Sequence, residues 1–120
     1  MKILFLTLKG CYFDEIALGS KTTEYRDLTP FFETRLRKNG EFIKYDAILF
    51  QNGYSLQSRR MLVEHIKTEI TDCFEINLGR IINAPYIEIA GIKTPCKIEI
   101  KQARSRRKRS ILESMTTYSM

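Results

Sequence analysis

The sequence has 120 residues, 43% hydrophobic and 28% charged, with 20 Lys and Arg against 14 Asp and Glu and a formal charge of +6. That length supports one hydrophobic core rather than two, and the abundance of apolar residues excludes a wholly disordered chain. The charge is uneven: residues 1–100 carry 14 cations and 13 anions and residues 101–120 carry six and one, so the body stands at +1 and the tail at +5.

Lys2 to Leu8 is a nearly continuous apolar run that suits a buried strand, broken at Lys9-Gly10. Tyr12, Phe13, Ile16 and Ala17 then form one helical stripe, with Gly19 where a left-handed C-cap falls. Thr22 to Asp27 reads as a strand, with Thr22, Glu24 and Arg26 on one face and Thr23 and Tyr25 on the other. Thr29-Pro30 starts a second helix that buries Phe31, Phe32 and Leu36 and ends near Asn39-Gly40.

Tyr45 to Gln51 is a second buried strand, and Asn52-Gly53 is the strongest turn dipeptide. Residues 58–71 fit both periods; the preceding turn and the β-branched residues favour a strand. Cys73 to Ile82 alternates as a strand, and Tyr86 to Ile89 with Lys97 to Ile100 suggest a last hairpin. Five or six short strands, two helices near the N-terminus and no βαβ alternation predict an α+β fold, a small, mainly antiparallel β-barrel with residues 101–120 as an appended arm.

No apolar run approaches the ~20 residues of a membrane helix, so no membrane association is expected. The opening MKILFLTLKGC ends its apolar part at Lys9, too short for a secretory signal, which makes the cytoplasm the expected compartment. Cys11, Cys73 and Cys96 are odd in number and form no CxxC pair, so neither disulfides nor a metal are signalled, and no cofactor motif is present. His65 is the sole histidine and, set among apolar residues, reads as structural.

The segment Gly19-Ser20-Lys21-Thr22-Thr23-Glu24-Tyr25-Arg26-Asp27 is distinctive. It places two cations, a carboxylate and a hydroxyl at the junction of a helix end and a strand. Lys21 and Arg26 suit a phosphate or base edge, with Glu24 fixing the Arg or accepting from an exocyclic amine. The same residues would also make a solvated strand whose charges pair across one face.

The stretch G-x-K-T-x-E-x-R (Gly19, Lys21, Thr22, Glu24, Arg26) resembles the signature of the ASCH domain, the activating signal cointegrator homology module of the PUA-like superfamily. The order around it is similar to small prokaryotic and phage members, and the likeness covers about residues 3–82. It implies a PUA-like barrel over residues 1–100, with a cleft lined by the motif, that binds RNA or a modified nucleoside.

Some bacterial members of this family are amidohydrolases acting on N4-acetylcytidine, and others are reported as ribonucleases. Lys21 matches the amidohydrolase Lys, whereas the position of that group's catalytic Thr is Glu24 here. A hydrolase working through Lys21 and Glu24 is therefore one alternative. A protein-interaction domain in which the motif is only an ion-pair network is another.

Tyr54 reads equally as a base-stacking ring or as half-buried packing at a turn, and Arg59 and Arg60, expected in the same loop region, as contacts for a phosphate backbone or as solvated charges. Arg104, Arg106, Arg107, Lys108 and Arg109 have the density of an arm that neutralises nucleic-acid phosphates or anionic surfaces, and equally suit a disordered solubilising end.

Overall fold

The computed structural model describes residues 1–55 and 57–98. The arm expected at residues 101–120 lies outside the described residues. Nine strands and two helices are formed among those described: five strands in the main sheet and two short hairpin pairs, one just after the second helix and one near residue 90.

Five strands make the main sheet: β1 (Ile3–Thr7), β2 (Thr23–Arg26), β5 (Ala47–Asn52), β6 (Arg59–Ile70) and β7 (Phe74–Ile82), in the order β1-β5-β6-β7-β2. β5, β6, β7 and β2 pair antiparallel, while β1 runs parallel to β5. A parallel neighbour requires a long crossover. Here it contains α1 (Gly10–Ala17), β2 and α2 (Pro30–Leu36), followed by the mini-hairpin of β3 (Arg37–Lys38) and β4 (Glu41–Phe42).

Both helices have ends written in the sequence. Gly19, at φ 85°, terminates α1: its amide reaches the Ile16 carbonyl while the Ser20 amide reaches that of Glu15, a Schellman arrangement that steers the chain into β2. At α2 the Thr29 hydroxyl accepts from the Phe32 amide at 3.3 Å and Pro30 takes the first position. This helix stops at Leu36, ahead of the predicted end. Asn39 and Gly40, at φ 54° and 81°, form a two-residue hairpin turn instead of a helix terminus.

β5 explains its own sequence. Ile48 and Phe50 point into a core with Leu4, Leu6, Phe13 and Phe74, and Ala47 and Leu49 point the other way into a second cluster with Leu62. A strand covered on both faces reads as an uninterrupted apolar run. The cover on the second face comes from Ile87 and Ile89 on the hairpin of β8 (Tyr86–Ile89) and β9 (Ile92–Pro95), joined through Ala90 and Gly91, both at positive φ. The expected partner at Lys97 to Ile100 is corrected to Ile92–Pro95.

The sheet curls into a half-barrel. Register shifts between β6 and β7 fall at Val63/His65 and His65/Lys67 and bend the long β6, as bulges do. Gly79 on β7 lies at this bend, where an added Cβ would strike Glu64 and Ile66. The curl brings the edge strand β2 towards the opposite edge strand β1, and the Arg26 Nη2 donates to the Thr7 carbonyl at 2.8 Å across that gap. Among the described residues no helix is long and apolar enough to cross a membrane.

Candidate functional site

β2 is the platform. It hangs on β7 through the Thr23–Asn77 to Arg26–Phe74 register and through the Leu78 amide, which donates to the Thr22 carbonyl. Strand alternation leaves Tyr25 exposed and turns Glu24 inward, where it is only 6% exposed. A carboxylate at that depth requires partners, and it has two cations. Arg26 Nε donates to Glu24 Oε2 at 2.7 Å, and its Nη2 lies 2.7 Å from the same oxygen. Lys21 Nζ stands 3.6 Å from Glu24 Oε1.

The Lys21 ammonium is flanked by two rings, 5.1 Å from the centroid of Tyr25 and 5.5 Å from that of Tyr12, within cation–π range. The Schellman turn places it there, since the Lys21 amide also returns to the Glu15 carbonyl. Lys21, Glu24 and Arg26 are thus one connected cluster. Thr22 lies just before the strand, exposed, with only its carbonyl in the network.

Arg26 also forms part of the wall of a cleft of about 590 Å³ that runs along β1 and is bounded by Phe31, Phe32, Arg35, Tyr45 and Tyr54. Of the motif, this cleft takes Arg26 alone; Lys21, Thr22 and Glu24 are not among its lining residues. Glu24 contributes indirectly, by holding Arg26, whose guanidinium carbon is 5.3 Å from the Phe32 ring. The Tyr45 hydroxyl donates to the Arg35 carbonyl at 2.5 Å. Burial pushes the Tyr45 phenol above its ordinary value, with the Arg35 charge pulling part of the way back.

Tyr54 is 88% exposed and lies at one end of the cleft. Its loop is not loosely held. Arg60 donates to the Ser58 and Ser55 carbonyls at 3.1 Å each and to Gln51 Oε1 at 2.9 Å, while the Gln51 amide group donates to the Gly53 carbonyl at 2.7 Å. An exposed ring on a loop pinned in this way is a ready stacking surface.

Arg59 and Arg60 depart from expectation. They are the first residues of β6 rather than loop residues, and both are buried. Arg59 pairs with the buried Asp14 of α1, donates to Asn52 Oδ1 at 3.2 Å and lies over the Phe13 ring at 4.5 Å. This guanidinium ties α1 to the sheet and is not a surface contact for phosphate, because Asp14 and the Phe13 ring of α1 and Asn52 of β5 close around it. His65 is likewise fastened, with Nδ1 3.1 Å from the Tyr45 carbonyl oxygen and Nε2 2.9 Å from Thr68 Oγ1. Among the described residues no three His, Cys, Asp or Glu side chains are grouped to hold a metal ion.

The sequence reading missed Phe31, Arg35 and Tyr45 as cleft residues. Phe31 was assigned to the core with Phe32 and Leu36, yet it is 54% exposed. The signal was available: Phe32 and Leu36 are four apart and share a helix face, whereas adjacent Phe31 is turned off it by about 100°. No protein-family model, no curated protein and no solved structure matches this chain.

Proposed function

We propose that this protein is an RNA- or modified-nucleoside-binding module of the ASCH type, a PUA-like domain that receives its ligand in the cleft beside β1. The observation that carries the reading is the buried Glu24 holding Arg26 at the wall of a cleft lined by Phe31, Phe32, Tyr45 and Tyr54. A guanidinium held in plane presents directed N–H donors to a base edge, and the rings supply stacking worth ~1 to 3 kcal/mol per base. The near-neutral body suits a small pocket better than a long duplex track, and the basic arm adds sequence-independent attraction to phosphates.

A hydrolase is the second reading, favoured by the Lys21 ammonium lying 3.6 Å from Glu24 Oε1. Against it, both Glu24 oxygens are already engaged by cations, Oε2 by Arg26 and Oε1 by Lys21, so the carboxylate is committed to the pair rather than aimed at an attacking water.

The deciding experiment incubates the protein with N4-acetylcytidine and with short RNAs, comparing wild type with Lys21→Ala. Binding without turnover supports the module, and turnover lost in the variant supports the hydrolase. Neither binding nor turnover rejects both and leaves a protein-interaction domain.

A further inference from the structure

We propose that the cleft takes a phosphorylated nucleoside, with Arg35 receiving the phosphate. The inference rests on the nucleoside-binding reading above and specifies its ligand.

The cleft wall contains two guanidinium groups and no carboxylate. They are not equivalent. Arg26 is matched by Glu24 immediately behind it, so the pair contributes donors without net charge. Arg35 is exposed and has no carboxylate partner among the described residues; its Nη1 donates only weakly, at 3.4 Å, to the Phe31 carbonyl. Its guanidinium carbon lies 3.6 Å from the Phe31 ring centroid, within cation–π range. A guanidinium held over a ring and not neutralised by a carboxylate is the side chain best suited to two oxygens of one phosphate.

The remaining walls are aromatic, and the volume of about 590 Å³ lies in the range of small-molecule sites. A ligand that satisfies the whole cleft is therefore both planar and anionic. An acidic peptide added as an extra strand along β1 fits less well, because Arg26 already occupies the Thr7 carbonyl on that edge.

The test is calorimetric titration of the full chain with the four ribonucleosides, their 5′-monophosphates and the matching dinucleotides, in wild type, Arg35→Gln and Arg35→Lys. Arg35 is exposed, so neither substitution opens the core; circular dichroism verifies that. The expected result is at least one base for which the monophosphate binds about 10-fold tighter than the nucleoside in wild type. Arg35→Gln removes that preference, and Arg35→Lys retains part of it.

A dinucleotide binding as tightly as the monophosphate assigns the phosphate to an RNA strand, and one binding no better than the nucleoside assigns it to a free nucleotide; both support the proposal. Equal affinity for nucleoside and monophosphate in wild type, or a preference that survives Arg35→Gln, overturns it and leaves the nucleoside reading standing. Failure of every probe to bind overturns both. An oligoglutamate peptide that binds as tightly as the monophosphate also overturns it, in favour of an acidic peptide ligand.

Discussion

Glu24 and Arg26, two residues apart on one face of β2, form a pair whose cation reaches past its partner to the Thr7 carbonyl of the opposite edge strand. One side chain thus completes a buried charge pair and spans the open side of the half-barrel. Removing Glu24 leaves Arg26 and Lys21 facing each other without an anion. Glu24→Ala is expected to cost about 3 kcal/mol, and Arg26→Lys about half of that, since the ammonium keeps the charge but loses the fork. Urea-unfolding midpoints with an unchanged slope measure both.

Asp14 and Arg59 make a second buried pair, between α1 and β6. Asp14→Ala should cost about 3 kcal/mol, because a buried guanidinium is left without its anion. The double variant Asp14→Ala/Arg59→Met should recover part of the loss by replacing a stranded charge with apolar volume. A double variant less stable than the first single would contradict this account.

Gly79 is constrained by close approach of two side-chain ends rather than by backbone conformation. Gly79→Ala pushes a methyl group against the ends of the Glu64 and Ile66 side chains, which can swing aside at the loss of the Glu64 bond to the Arg80 amide, and is expected to cost about 1 kcal/mol. In a Glu64→Ala background the same substitution should cost much less. Thermal melts of the two single variants and the double variant decide the matter.

The raised pKa of Tyr45 gives the protein an alkaline dependence of known sign. The folded state keeps the phenol protonated at a pH where the unfolded chain releases the proton. The contribution is therefore complete below the ordinary value of 10.0 and is lost as pH rises through the higher folded value. Stability against urea should fall above pH 10 in wild type and fall less steeply in Tyr45→Phe.

If all five cations between Arg104 and Arg109 engage single-stranded RNA, deleting residues 101–120 should flatten the slope of log K against log salt by about 3.5 units, at ~0.7 per phosphate. An unchanged slope in a salt titration would reject the arm as a nucleic-acid contact.

Much of the fold was legible because its signals are local. Thr29-Pro30 started a helix and Gly19 ended one, as read. Residues 58–71 were the ambiguous case, because Leu62, Ile66 and Ile70 are spaced by four, which satisfies both periods; the turn before them resolved it. The hairpin at Asn39-Gly40 was misread as a helix end because both structures use a residue at positive φ there.

The site was less legible. Sequence placed Lys21, Glu24 and Arg26 side by side, but whether Arg59 faces water depends on Asp14, 45 residues earlier. The cleft joins residues from β1, β2, α2, the Tyr45 region and the Tyr54 loop, and such a meeting exists only after the sheet has curled.

The strand order has a consequence for the timing of folding. β1 and β2 are synthesised first, yet they occupy the two outer edges of the sheet, and three strands must come between them. A nascent chain that has made residues 1–42 owns both margins and no middle. Cooperative structure must therefore wait until β5, β6 and β7 have been synthesised, and the Arg26 bond to Thr7 can close only as a late event, after long-range pairing has brought the edges round.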